Sequence, residues 1–191
     1  MIASAAQAGD LTVEVKDASG ALVANAVVYA EAVNNPGSLS TPAPAQIEQK
    51  GRKFIPLVTV AQTGSSISFP NHDSVRHHVY SFSPAKVFEL KLYSGVPSAP
   101  VIFDKPGTVV LGCNIHDQML AFVHVVNTPY FAKTETSGKA KLNLPNGDYV
   151  LKTWHYALAK ENSVIEQPVS IKGSEQATVK LEIKPFPIPA Q

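Results

Sequence analysis

Residues 105–126 read KPGTVVLGCNIHDQMLAFVHVV, and this stretch decides how the 191-residue chain folds. Its two apolar runs, 108–111 and 121–126, are rich in Val and are typical of β-strands. Gly107 fits a turn, and Gly112 fits a point where another part of the protein approaches the backbone closely. The stretch therefore predicts two strands that are joined by a short loop.

The loop carries three side chains that bind soft metal ions. Cys113, His116 and Met119 follow one another at spacings of three and three. Because side chains alternate between the faces of a strand, Cys113 leaves the first strand on the same side as Val109 and Leu111. A tight loop at this place brings a thiolate, an imidazole and a thioether towards one point.

These ligand types have a defined use in metalloproteins. Thiolate and thioether are soft ligands that suit Cu(I), and two His, one Cys and a weak axial Met make a blue-copper electron-transfer site. A second His comes from NHDSVRHHVY, residues 71–80, where His77 and His78 are both candidates. Strand alternation sends these two side chains to opposite faces, so only one of them reaches the metal.

Other interpretations of the same residues are simpler. Cys113 is the only cysteine, and an isolated Cys is often a buried, inert thiol. A zinc site needs further Cys or His residues at close spacing, which this chain lacks. His72 is expected in a solvated turn, and His124 and His155 are expected to serve packing or the surface.

The remainder of the chain also has the pattern of an all-β protein. Gly and Pro residues separate many short apolar or alternating runs, and no convincing helix longer than about two turns is found. This arrangement is typical of an antiparallel Greek-key β-sandwich. A Pro-rich loop is expected at 34–45, and the predicted strands are 11–15, 27–30, 54–61, 66–69, 76–82, 87–92, 100–103, 108–111, 121–126, 139–144, 149–154, 163–171 and 177–183.

The C-x-x-H-x-x-M loop after a Pro-Gly turn and a strand resembles plastocyanin and amicyanin, which are cupredoxins. The stretch 54–130 is similar to plastocyanin-like proteins of the methylamine-utilisation type. That family usually has Asn after its upstream His, whereas this chain has His78, which stays an alternative ligand to His77. The resemblance implies one copper ion, as Cu(I) or Cu(II), held by His77, Cys113, His116 and Met119.

The flanks have a different character from the segment with the Cys and most of the His residues. LTVEVKDASGALVANAVV at 11–28 and TETSGKAKLNLPNGDYVL at 134–151 together resemble the carboxypeptidase-regulatory-like small β-domain. We expect a small β-domain that is split by an inserted cupredoxin domain; the alternative is one enlarged sandwich. The predicted divisions are 1–8 as a signal-peptide remnant or flexible tail, 9–45 with 128–191 as the split domain, and 46–127 as the cupredoxin domain.

The amino-acid composition limits the classes of partner that are expected. The net charge is +1, and 45% of residues are hydrophobic while 16% are charged, which argues for a globular protein without a nucleic-acid surface. No apolar run reaches the eighteen or so residues of a membrane span. Ala6-Gln7-Ala8 fits a signal-peptidase site, so we expect export to the periplasm.

Three functions fit these observations. The first is a blue copper protein, not an enzyme, that carries single electrons for a redox partner such as a c-type cytochrome or a periplasmic dehydrogenase. The second is a copper-binding or copper-delivery protein that uses the same four ligands. The third is an adhesion or interaction protein in which the flanking β-domain does the main work.

Overall fold

The computed structural model describes residues 8–34, 41–97, 99–160 and 163–186. All elements in these residues are β-strands, and no helix that could cross a membrane is found among them. The strands are β1 Ala8–Asp17, β2 Val27–Ala32, β3 Ala45–Gln46, β4 Glu48–Gln49, β5 Phe54–Ile55, β6 Val58–Gln62, β7 Ser65–Ser68, β8 His77–Ser83, β9 Lys86–Tyr93, β10 Val101–Phe103, β11 Gly107–Gly112, β12 Leu120–Val126, β13 Phe131–Lys133, β14 Lys139–Pro145, β15 Gly147–Trp154, β16 Ile165–Ile171 and β17 Ser174–Leu181.

The predicted all-β fold is confirmed, and each predicted strand overlaps an observed one. The prediction of one strand at 54–61 was too long, because the chain bends between β5 and β6. The short strands β3, β4 and β13 were not predicted. Residues 1–7 of the proposed signal-peptide remnant lie outside the described residues, as do residues 35–40 of the predicted loop.

The chain divides into two compact units. Unit 1 comprises Met1–Ser38 with Thr128–Pro185, and unit 2 comprises Leu39–Asn127 with Phe186–Gln191. In unit 2, a five-stranded sheet has the order β6-β12-β11-β8-β9, and a three-stranded sheet has the order β10-β7-β3.

Unit 2 is a β-sandwich because apolar side chains from both of its sheets share one core. Strand alternation sends every second residue inward, as the buried–exposed pattern of β11 shows at Val109, Val110 and Leu111. The core residues are Ile47, Phe54, Ala61, Ile67, Phe69, Val79, Phe103, Val109, Leu111, Cys113, Met119, Ala121, Val123 and Val125.

Unit 1 contains a three-stranded sheet, β14-β1-β17, and a four-stranded sheet, β13-β2-β15-β16. Most strand pairs in the two units are antiparallel, as expected. Three described pairs are parallel instead: β1 with β17, β6 with β12, and β3 with β7. The three sheets that contain these pairs are therefore mixed, whereas β13-β2-β15-β16 has only antiparallel pairs.

A buried threonine links the two sequence segments of unit 1. The Oγ1 atom of Thr134 accepts a hydrogen bond from the amide of Ala26 at 2.9 Å and donates one to the carbonyl of Val23 at 2.8 Å. The side chain is 1% exposed, so the hydroxyl satisfies two backbone groups that water does not reach. These contacts hold the start of β2 against the end of β13.

Candidate metal centre

The predicted ligands lie at the ends of three neighbouring strands in unit 2. Strand pairing places Gly112 opposite both Leu120 and Tyr80, so β11 ends between β12 and β8. His77 is the first residue of β8, and in the antiparallel β8–β11 pair it lies beyond Gly112. The loop 113–119 continues from the same end of β11, and the sheet register thus brings the loop and His77 together.

Three of the predicted residues converge. The candidate ligand atoms of His77, Cys113 and His116 all lie within 4.8 Å of one another. The Sγ of Cys113 is 3.9 Å from the Nδ1 of His116, and the ring centroids of the two histidines are 4.9 Å apart. Atoms bound to one ion at about 2.3 Å for sulfur and about 2.0 Å for nitrogen are at most about 4.3 Å apart, so small side-chain adjustments suffice for a common ion.

The two ring nitrogens of His77 differ in their partners. Nε2 donates a hydrogen bond to the Oδ2 of Asp73 at 2.7 Å, which leaves a lone pair on Nδ1 in the neutral ring. The side chain is fully buried, and Nδ1 has no hydrogen-bond partner in the described part of the chain. A buried nitrogen without a partner is costly, and a metal ion would satisfy it.

Asp73 is itself held in place by the backbone. Its Oδ1 accepts the amide of Gly51 at 2.6 Å, and its Oδ2 accepts the amide of Arg52 at 2.9 Å. Burial alone would raise the pKa of Asp73, but these amides and the His77 ring more than offset it and lower that pKa. The carboxylate is therefore ionised at neutral pH and orients the His77 ring, as outer carboxylates do for metal-binding histidines.

His116 lies on the loop and is partly exposed. Desolvation lowers the pKa of His116, as do the neighbouring His77 ring and Arg52, and Asp73 opposes them. A lowered pKa favours the neutral imidazole, which is the form that binds a metal ion. This partly exposed position also makes His116 the member of the group nearest to solvent.

Met119 is buried near the same group. It is 1% exposed, and its backbone amide donates to the carbonyl of His116 at 2.9 Å, which closes the loop in a tight turn. Met119 and Cys113 line one common cavity. The role of the Met119 thioether as an axial ligand stays a prediction.

His78 has a different position from His77. Its Nε2 donates to the Oε1 of Glu89 at 2.7 Å, and the ring lies 5.5 Å from that of Tyr80. Among the described residues, the group that could hold a metal contains His77 and not His78. Strand β8 also has a register shift against β9 between His77 and Val79.

Two of the other histidines have environments close to those expected. His72 is half exposed, and its Nδ1 lies 2.7 Å from the Oε1 of Glu48. His124 is buried in the sheet, with its Nδ1 3.1 Å from the Oγ1 of Thr108. Burial lowers the pKa of His124 to about 4. Neither ring belongs to the described metal-binding group.

His155 is a structural residue of unit 1. Its Nδ1 accepts the amide of Ala157 at 3.2 Å, and its Nε2 donates to the carbonyl of Ala24 at 3.2 Å. These two bonds require the neutral ring with its proton on Nε2. Desolvation lowers the pKa of His155 to about 4, although the bond to Ala24 opposes this shift.

Sequence reasoning missed the residues that support the site from outside. Asn71 accepts the amide of Asp73 at 2.9 Å, and its Nδ2 donates to the carbonyls of Val75 and Tyr93, both at 2.9 Å. The NHD sequence at 71–73 carried a usable signal, because Asn and Asp side chains often bond the backbone two residues onward in turns.

The comparisons with known proteins add similar structures. No family model matches the sequence, and neither does any curated protein. The structural neighbours include cupredoxins, at low identity and over part of the chain.

One neighbour is the Cu-containing nitrite reductase from Thermus scotoductus SA-01, which is 22% identical with a TM-score of 0.42; the match covers 51% of this chain but only 25% of the reductase. A purple cupredoxin from Nitrosopumilus maritimus is 22% identical with a TM-score of 0.38, over 43% of this chain and 99% of its own. Amicyanin from Paracoccus versutus is 13% identical with a TM-score of 0.37, over 45% of this chain and 92% of its own.

Proposed function

We propose that this protein is a type 1 copper protein that carries single electrons between redox partners. The observation that carries the proposal is the convergence of one thiolate and two imidazoles, from Cys113, His77 and His116, within 4.8 Å. This donor set, completed by a Met thioether, is the one that blue-copper centres use. The Nδ1 atoms of His77 and His78 are both buried without a hydrogen-bond partner among the described residues, and only His77 belongs to the converging group.

The residues of the site have separate tasks. Copper, when bound, supplies the exchange of one electron between Cu(I) and Cu(II). His77 is fixed by Asp73 on a rigid strand, and Cys113 is 3% exposed within the core. Both ligands are thus restrained in position, which favours one geometry for both oxidation states. His116 is partly exposed on its loop, and we assign it the role of electron exit towards a partner.

We propose that the protein is not an enzyme, because four protein ligands leave no open position for a substrate. The proposed partner is a redox protein such as a c-type cytochrome or a periplasmic dehydrogenase, and the proposed compartment is the periplasm. We further propose that 9–45 and 128–191 form one carboxypeptidase-regulatory-like domain around a cupredoxin of the methylamine-utilisation type. The pairing of β1 with both β14 and β17 supports a split domain.

The test is an absorption spectrum during titration with Cu(II). The full chain should develop an intense visible thiolate-to-copper band that saturates at one equivalent of copper. Cys113→Ser should abolish the band because it removes the thiolate, and His77→Ala should disrupt it because the ring supplies a ligand.

His78→Ala is the matched control, since it removes the neighbouring buried imidazole that is bonded to Glu89 instead. This variant should keep the band, with a shifted potential at most. A band that survives in Cys113→Ser would refute the proposed ligand set. Loss of the band in His78→Ala alone would mean that His78, and not His77, is the ligand.

A further inference from the structure

A cavity of about 360 Å³ lies beside the candidate metal centre, between strands β8 and β11 and the start of β12. Cys113 and Met119 form part of its inner wall, and Tyr80, Phe82 and Val110 form much of its outer part. Phe82 is 80% exposed and Val110 is 40% exposed. The cavity is open to solvent and has the size of sites for small ligands.

The shape of the cavity is set by a glycine. Gly112 has no side chain, and a Cβ atom there would lie 2.8 Å from the Cζ of Tyr80, so the ring would have to shift to admit it. The Tyr80 ring therefore occupies the space beside Gly112 that a side chain would take. The ring of Phe82 follows at a centroid distance of 5.1 Å, so two aromatic rings line one side of the opening.

Two polar groups of the cavity have no partner among the described residues. The carboxylate of Asp117 and the hydroxyl of Tyr80 make no hydrogen bond or ion pair with any residue of the described ranges. The third polar group, the hydroxyl of Ser83, already accepts the amide of Val110 at 2.9 Å. The cavity thus offers one negative charge and one hydroxyl among apolar and aromatic walls.

We propose that this cavity binds a small organic ammonium ion with an apolar body. A primary ammonium group has three N–H donors, which match the Asp117 carboxylate and the oxygen of Tyr80. The faces of Tyr80 and Phe82 attract a cation through their π systems. Val110 and Leu120 are apolar walls for the hydrocarbon part. The chain's own side chains form this site, so it does not depend on bound copper.

The test uses n-butylammonium as the probe and n-butanol as its uncharged counterpart. The metal-free full chain is titrated with each compound, and amide chemical shifts are followed by NMR. Saturable shifts of residues around 80–83 and 110–120 are expected for n-butylammonium, with at least tenfold weaker binding of n-butanol. Equal binding of both compounds, or the absence of saturation, would overturn the proposal.

Variants distinguish binding at this cavity from nonspecific electrostatic attraction to the protein. Asp117→Asn keeps the size of the side chain and should weaken n-butylammonium binding about tenfold, and Tyr80→Phe should weaken it severalfold. Asp148→Asn is the matched control, because it makes the same charge change at an exposed position of unit 1. If Asp148→Asn weakened binding as much as Asp117→Asn, the attraction would be unspecific and the proposed site would be wrong.

Discussion

At the scale of single residues, the orientation of His77 depends on the carboxylate of Asp73, which is not part of the predicted ligand motif. Asp73 accepts the Nε2 proton and is fixed by two backbone amides. Outer partners of this kind orient the ligand ring and raise its basicity. The metal affinity of the site is therefore expected to depend on Asp73 as well as on the ligands.

Asp73→Asn tests this dependence. The amide keeps the size of the side chain but loses its charge and part of its accepting capacity. We expect Cu(II) affinity to fall by about ten- to a hundredfold, measured by competition with a chelator, while the visible band persists. Asp104→Asn is the control, since that exposed carboxylate pairs with Lys86 and not with a ligand. Unchanged affinity in Asp73→Asn would show that the hydrogen bond is dispensable.

Met119→Gln distinguishes an electron carrier from a copper-delivery protein. A thioether favours Cu(I) through its softness, and the amide oxygen of Gln is a harder ligand of similar length. For a carrier, we expect retained copper and a lower reduction potential, measured by cyclic voltammetry. For a delivery protein, the main change should be in Cu(I) affinity, measured by competition. If neither quantity changed, Met119 would not be a ligand.

The sequence predicted the convergence of His77, Cys113 and His116 but not how these residues are supported. The spacing of Cys113, His116 and Met119 was informative because one short loop contains all three. The contact from Asp73 to His77 was not predictable, since its geometry depends on a turn held by Asn71. Strand alternation anticipated that only one of His77 and His78 joins the group, whereas the register shift of β8 against β9 was not predictable.

At the scale of secondary-structure elements, Thr134 joins β13 to the start of β2 through two buried hydrogen bonds. Thr134→Val keeps the shape but leaves the Ala26 amide and the Val23 carbonyl without their partner. We expect the free energy of unfolding of unit 1 to fall by about 1–3 kcal/mol, measured by urea denaturation.

Two further substitutions give this prediction its controls. Thr134→Ser restores the hydroxyl and should recover most of the lost stability. Thr178→Val makes the same chemical change at an exposed position of β17 and should have little effect. A Thr134→Val protein as stable as the original would mean that other groups satisfy the two backbone atoms.

Strand length explains which elements were predictable. The long strands have enough residues to show alternation, as β14 does with its regular exposed–buried pattern. Strands β3 and β4 have two residues each and β13 has three. Such short segments cannot show an alternation of apolar and polar residues. Their existence depends on partners elsewhere in the chain, for example β7 for β3.

At the scale of the whole molecule, two buried histidines make stability depend on pH. Burial lowers the pKa of His124 in unit 2 and of His155 in unit 1 from 6.5 to about 4. Between pH 4 and pH 6.5, each ring is therefore protonated in the unfolded chain but neutral in the folded chain. The free energy of unfolding should therefore be insensitive to these rings above pH 6.5 and fall as the pH falls towards 4.

Urea denaturation at pH 7, 6 and 5 measures this dependence, with an expected slope of about 1.4 kcal/mol per pH unit for each ring. His124→Gln and His155→Gln should each remove the contribution of one ring to this pH dependence, in the unit that contains the ring. His72→Gln removes a half-exposed histidine and serves as the comparison. Slopes that stay the same in both buried variants would show that other groups cause the acid sensitivity.

The composition and turn pattern predicted an all-β chain, whereas the pairing of distant strands could not be predicted from the sequence. Strand β1 pairs in parallel with β17, from Asp10 opposite Ser174 to Asp17 opposite Leu181. No local feature indicates such a partner, because turn residues report only connections between consecutive strands. The resemblance of the two flanks to one small domain was the only sequence evidence that they belong together.

The split of unit 1 has a consequence for the newly made polypeptide. Strands β1 and β2 leave the ribosome before their partners, because β1 pairs with β14 and β17 and β2 pairs with β13 and β15. At the usual pace of synthesis, these partners follow on the order of ten seconds later. During this interval, β3–β12 can fold as an almost continuous segment. The edges of β1 and β2 stay unpaired meanwhile, and unpaired edges of apolar strands can pair with other chains.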